Sequence, residues 1–295
     1  MKVYFNLIKN FKAWPSLCNL LQLMAYDTWR RIEFARTRNG LKIFETTITQ
    51  NILYEFRLYG ELFPQIPIRM FEAINEPLNG NDIELVIQTK EGFILAPLQA
   101  KLIYKTHRYN SMEHGNQIRD LISYAKRIGG IPLYLLYNFY PDQNFLYTSN
   151  LCGVRFSKEQ YGCSLVSAYY LLNKYAFNRT DRNSNVKWTI PSFTDLHPQI
   201  AIPWFVLGCC RFPSIDKVAT INLLNNFPAS EIKSDIKTKI YALEELTRED
   251  NWKPFDINGL NFSSNDSERN DTIFSPKYRI VLFTDNESSN KRVFL

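Results

Sequence analysis

Residues 82–139 constrain the fold of this chain more than any other stretch, because three periodicities follow one another there. The segment DIELVIQ alternates, placing Ile83, Leu85 and Ile87 on one face of a strand. After the turn Thr89-Lys90-Glu91-Gly92, FILAPLQAKLI forms a second apolar-rich strand, which pairs back on the first as an antiparallel hairpin. Pro97 removes one ladder donor and predicts an edge or a bulge at that point. From Gln117 to Ile128 the apolar residues Ile118, Leu121, Ile122, Ala125 and Ile128 recur at helical spacing, and Gly129-Gly130 ends the stripe. IPLYLLYNF is then almost continuously apolar, as a strand buried on both faces is. Hairpin, helix and buried strand together predict an α/β protein with a mixed sheet flanked by helices.

Two helices precede this core. Leu17, Leu20, Leu21 and Met24 repeat at helical spacing from Ser16 to about Arg36, with Ser16 as the N-cap behind Pro15. A second helix runs from about Glu45 to Leu58 on the apolar face of Ile48, Ile52, Leu53 and Phe56, with Gly60 as its stop. After residue 150 the pattern weakens. Tyr169 to Tyr175 reads as a helix, PWFVLGCC as a buried helix or strand, and YRIVLFTD as a final strand, while NFSSNDSERNDT and DNESSNKR read as mobile polar segments. The division expected is a core over 1–150 and an α+β C-terminal extension of unknown role over 151–295.

With 45% hydrophobic and 22% charged residues the 295-residue chain is an ordinary globular composition, which excludes a disordered or fibrous protein. No window of about 18 apolar residues occurs and the start lacks a signal-peptide pattern, so a cytoplasmic protein without a membrane partner is expected. Five cysteines form no disulfide framework and are read as reduced. The net charge of +6 leans toward polyanionic partners. No P-loop, GxGxxG or HExxH motif is present, and the cysteines lack zinc spacing.

The polar residues on these elements carry the functional signal. Asp82 opens the first hairpin strand, and Gln99 and Lys101, two apart on the second, leave the same face. Glu84 shares a strand face with Asp82. Glu45, three residues before Ile48 and seven before Ile52, falls on the apolar side of its helix at about 100° per residue. A bland reading stands beside each: Asp82 caps a strand end, Lys101 is an exposed edge lysine, Gln99 is filler, and Glu45 answers the helix dipole.

Asp82, Gln99-Ala100-Lys101 after a hairpin, and a helical Glu45 before it resemble the PD-(D/E)XK nuclease superfamily. The Gln-x-Lys tripeptide resembles its Mrr-like restriction endonuclease branch. GNDIEL, QAKLIYK and QIRDLISYAKRIGGIPLYLLYNF are also similar to an uncharacterised prokaryotic family of that superfamily. The likeness spans roughly residues 45 to 140. It implies a restriction-endonuclease-like core ordered helix, strand, strand, strand, helix, strand, with one short strand still to be found near Arg57 to Met70 or beyond Lys101. It further implies a metal-dependent endonuclease, acting on DNA and serving prokaryotic antiviral defence. Asp82, Gln99 and Glu45 would hold Mg2+ or Mn2+, and Lys101 would position the attacking water. Gln99 in place of an acid removes one negative charge from the metal shell, so the alternative is a noncatalytic nuclease-fold protein that binds nucleic acid or a partner protein. Lys105, Arg108, Arg119, Lys126 and Arg127, interleaved with tyrosines, form the densest basic stretch and are candidates for phosphate contacts. The charges from Arg119 to Arg127 read equally well as the solvated face of a helix. A homodimer is a further expectation, since many such nucleases cut both strands as dimers.

Overall fold

The structure is a computed structural model that describes residues 16–38, 41–64, 68–73, 83–89, 91–113, 115–142, 144–145, 147, 150–151, 154–180, 186–209, 238–248, 252–254 and 276–283. Helix α1 spans Leu17–Thr37, and Ser16 caps it by accepting from the Asn19 N–H at 3.2 Å. Helix α2 spans Glu45–Leu62. It passes through Gly60, the expected stop, and ends at Leu62, two residues before Pro64, which cannot continue a helix. A glycine with open space around it weakens a helix without breaking it.

Strand β1, Ile68–Ala73, is the short strand that the helix, strand, strand, strand, helix, strand order required. The hairpin follows as β2, Ile83–Thr89, and β3, Gly92–Leu102. Helix α3 spans Gly115–Ile128 and β4 spans Leu133–Tyr137. Beyond them come β5, Cys163–Ser167; helix α4, Ala168–Tyr175; β6, Ile202–Pro203; β7, Trp252–Pro254; and β8, Tyr278–Leu282. PWFVLGCC divides between β6 and a single helical turn at Val206–Cys209. The segments NFSSNDSERNDT and DNESSNKR lie outside the described residues.

These eight strands form one mixed sheet in the order β6-β5-β4-β3-β2-β8-β1-β7, and four shorter strands, Asn150–Leu151 with Val154–Arg155 and Ala176–Thr180 with Val186–Trp188, pair separately. The neighbours β3 and β4 are parallel, as are β8 and β2, and the other pairs are antiparallel. The protein is thus an α/β fold with a large mixed sheet flanked by helices. Within YRIVLFTD, Tyr278–Leu282 is a strand, as the apolar run indicates, and it enters between β1 and β2, so these two core strands are not neighbours.

Pro97 differs from expectation. It sits in a central strand opposite Glu84, and the β2–β3 register runs from Ile83↔Leu98 to Thr89↔Gly92 without a bulge. The pairing of β3 with β4 begins only at Leu98↔Leu133, so the proline precedes that ladder.

The hairpin divides the core by parity. Ile83, Leu85 and Ile87 of β2 and Ile94, Ala96, Leu98 and Ala100 of β3 join Leu20, Ile48, Ile52 and Phe56 of α1 and α2 in the main core. Val86, Phe93 and Leu95 pack with Val281 and Leu246 in a smaller cluster. Cys18 is disulfide-bonded, which corrects the reading of every cysteine as reduced. Its turn of α1 is in close contact with the 206–209 turn at Gly208, an approach that spacing along the chain does not reveal. Cys163 is a free, buried thiol 3.4 Å from the Thr28 hydroxyl, and burial pushes its pKa up. Among the described residues no helix is long and apolar enough to cross a membrane.

Candidate active site at the end of strand β3

The site is built where β3 runs out between the first turn of α2 and the first turn of α3. Glu45 is the first residue of α2, a place a carboxylate favours because unpaired N–H groups and the helix dipole are there. Its side chain turns toward the sheet, and Oε2 accepts the backbone N–H of Leu102 at 3.1 Å. Burial raises the Glu45 pKa above the usual carboxylate range, while Lys101 and the Leu102 N–H pull it back. The dipole reading and the sheet-facing reading of this residue therefore both hold.

Lys101 is 5% exposed, so it is not the exposed edge lysine of the bland reading. Its Nζ donates to Oε1 of Gln117, in the first turn of α3, at 3.0 Å. Sequence reasoning missed Gln117, whose one signal was an amide at the start of the helix that follows the lysine strand. Gln99 is half-buried two residues before Lys101 and shares its strand face. Asp82 lies outside the described residues. Its chain neighbour Ile83 pairs with Leu98, the residue before Gln99.

Glu84, which shares the strand face of Asp82 and could on that ground be a further ligand, has another commitment. Its carboxylate is fully buried and receives Arg279 of β8 through Nε at 2.7 Å and Nη2 at 2.5 Å, with the Tyr124 hydroxyl on Oε1 at 3.1 Å. Arg279 also donates to the Leu246 carbonyl and stacks over Trp252 at 4.1 Å. A carboxylate engaged by three donors in a dry environment is a structural ion pair, and that role removes it from the candidate ligands.

The basic residues divide into two groups. Lys105 and Arg108 are exposed in the turn directly after β3, although Arg108 Nη1 also donates to the Ile190 carbonyl at 3.0 Å. Arg119, Lys126 and Arg127 lie on the exposed face of α3. Lys126 and Arg127 occupy its last turn, about 14 Å along the axis from Gln117 at 1.5 Å per residue. Arg127 lies over the Tyr124 ring at 5.2 Å. Proximity in sequence to Lys101 therefore brings the first group to the site and leaves the end of α3 apart from it.

The oxygen donors of Glu45 and Gln99 are of the hard type that magnesium and manganese accept. Among the described residues no group of three or more His, Cys, Asp or Glu is placed to hold a metal, so a carboxylate-rich shell requires Asp82.

Residues 17–289 match a family of unknown function, DUF6615, and the chain belongs to that family. No curated protein and no solved structure matches it.

Proposed function

We propose that this member of the family is a metal-dependent endonuclease that hydrolyses phosphodiester bonds, with DNA as substrate and defence of a prokaryotic cell against foreign DNA as its setting. The observation that supports this reading is the convergence of Glu45 and Lys101 on the end of β3, within a helix, strand, strand, strand, helix, strand order. That order and the Gln99-Ala100-Lys101 tripeptide are the features in which the chain resembles the PD-(D/E)XK nucleases.

The reaction adds water across a P–O ester bond: the water oxygen bonds to phosphorus, the ester oxygen leaves, and a proton ends on that leaving oxygen. Glu45, Gln99 and Asp82 would hold the cation. A bound magnesium or manganese ion supplies positive charge to the phosphoryl oxygens as negative charge develops. Lys101 holds the attacking water and a phosphate oxygen through its ammonium hydrogens. Gln117 takes one of those hydrogens and so sets the direction of the others.

A second reading, a noncatalytic protein that binds nucleic acid on the same scaffold, is favoured by Gln99, which leaves the shell one charge short, and by the Glu45 oxygen already engaged by Leu102. One experiment separates the two. Wild type, Asp82→Ala and Lys101→Ala are incubated with single- and double-stranded DNA and RNA in magnesium or manganese. The nuclease reading expects cutting by wild type and a loss of at least about 100-fold in each variant. Equal activity in all three overturns the site. Tight binding without cutting in wild type establishes the second reading instead.

A further inference from the structure

Among the described residues six large hydrophobic side chains are exposed, and four of them belong to segments fastened to the end of β3. Phe34 is two residues before Arg36, whose Nη2 donates to the Ile103 carbonyl. Leu41 and Phe44 lead into Glu45, which accepts the Leu102 N–H at 3.1 Å. Tyr104 follows Ile103 directly. The end of α1, the start of α2 and the turn after β3 therefore each carry an exposed ring at one strand end: Phe34 is 56% exposed, Phe44 58% and Tyr104 46%. Large apolar groups gathered in this way mark an interaction face, whereas single ones scattered over a surface do not.

The exposed charges beside these rings, on Arg38, Lys42 and Lys105, are positive. On α1 the side chains of Arg30, Arg31, Glu33, Phe34, Thr37 and Arg38 border an open groove of about 580 Å³, within the roughly 300–1,000 Å³ of small-ligand clefts. Arg30 is paired with Glu33, and Arg31 with Asp27 and, at 3.8 Å, with Glu55. The uncommitted charge of the groove is that of Arg38, which pairs with no acid among the described residues; its guanidinium lies over the Phe34 ring at 5.6 Å.

An exposed ring beside an unpaired guanidinium offers a flat apolar face and a phosphate partner within a few ångströms. An apolar protein segment uses only the first. Duplex DNA uses only the second, because its base faces are stacked on one another. An unpaired strand uses both, with bases on the rings and phosphates on the cations. Phe34 projects about 200° around α1 from Arg36, so the groove lies on the flank of the helix away from β3, about 10 Å across. About three nucleotides at ~3.4 Å each span that distance.

We propose that this face binds single-stranded DNA and leads it to the end of β3, with Phe34 stacked on a base and Arg38 on a phosphate. The destination of the strand rests on the nuclease reading, but binding is measured without metal or cleavage. The full-length protein is titrated in EDTA with a fluorescein-labelled oligodeoxythymidine of about twelve nucleotides and with a duplex of the same length. Wild type should prefer the single strand. Phe34→Ala should weaken that binding about tenfold, the loss of one stacked base, and leave duplex binding and the thermal midpoint little changed; Phe34→Tyr, which keeps the ring, should bind as wild type. Arg38→Gln should lower the slope of log affinity against log salt by about 0.7, the share of one single-strand phosphate. Tyr54→Ala is the control, since Tyr54 is 47% exposed but lies along α2 away from the strand end, and its affinity should match wild type. Duplex bound as tightly as the single strand, or wild-type affinity in Phe34→Ala, would overturn the proposal. Equal losses in Phe34→Ala and Tyr54→Ala would overturn it as diffuse adhesion, and no binding of either probe would leave the face to an apolar protein partner instead. Single-strand binding through Phe34 in a protein that cuts nothing with magnesium or manganese would sustain the proposal and remove the nuclease reading. Cutting by Phe34→Ala at the wild-type rate, with no preference for the single strand, would do the reverse.

Discussion

Lys101 Nζ donates to Gln117 Oε1 at 3.0 Å, so the lysine one residue before the end of β3 is aimed by the helix that carries the chain from β3 to β4. The same strand end is held from the other direction by Glu45 on the Leu102 N–H. A buried ammonium has few ways to satisfy its three hydrogens, and an amide oxygen is an acceptor that adds no charge to the site.

Gln117→Leu should therefore lower stability by about 2 kcal/mol, because it leaves the 5%-exposed lysine without this acceptor. If Lys101 works as proposed, the same variant slows cutting through kcat and leaves KM little changed, and Gln117→Asn does so less severely. Urea denaturation reads the first effect and steady-state cleavage the second. A wild-type kcat in Gln117→Leu would remove the positioning role.

The Glu84–Arg279 pair joins β2 to β8 across 195 residues of sequence. Glu84→Gln should cost about 3–5 kcal/mol, since Arg279 then remains buried without its counter-charge. The double variant Glu84→Leu with Arg279→Met should recover most of that loss. The test is a double-mutant cycle in urea; additive losses would show that the two side chains act independently.

His197 and Glu55 set opposing pH dependences. Burial lowers the His197 pKa to about 3, beneath the Ser164 hydroxyl at 2.9 Å and the Phe193 carbonyl at 3.0 Å. Its contribution is complete above about pH 6.5 and is lost as pH falls, by about 1.4 kcal/mol per unit, because only the unfolded chain takes up the proton. Glu55 is raised to about 7 by burial, with Asp27 adding and Arg31 opposing. Its favourable state is the protonated one, so its contribution is complete below about pH 4.5 and is lost as pH rises through 7. Between pH 5 and 6, His197→Asn should make stability rise more steeply on acidification than wild type, and Glu55→Gln should make it fall more steeply. Chemical denaturation at several pH values compares the slopes; parallel profiles for all three proteins would contradict both assignments.

Lys105 and Lys126 differ in distance from the site but not in charge. On the proposed function, Lys105→Ala should weaken nucleic-acid binding and reduce the slope of log affinity against log salt by about one, whereas Lys126→Ala, at the far end of α3, changes the slope less. Fluorescence titrations over a range of salt provide the comparison. Equal effects would mean that a diffuse positive surface holds the strand.

The sequence by itself determined the elements whose signal is local. Alternation made Ile83–Thr89 and Gly92–Leu102 a hairpin, the stripe from Ile118 to Ile128 made a helix, and the α/β class follows from their order. Strand parity also put Gln99 and Lys101 on one face, and helical spacing turned Glu45 toward the sheet. Such properties depend on neighbours two to four residues away, which is the range over which backbone periodicity acts. The tertiary structure alone decided the rest. The run YRIVLFTD marks a strand but holds nothing that says it enters between β1 and β2, since strand adjacency is chosen by packing across the whole sheet. Glu84 reads as a free carboxylate until Arg279 arrives with that strand. The meeting of Lys101 with Gln117, and of Arg36 with the Ile103 carbonyl, depends likewise on how helices settle on the end of β3. Hydrogen bonds and ion pairs between distant residues are set by that three-dimensional proximity, and no local pattern encodes them.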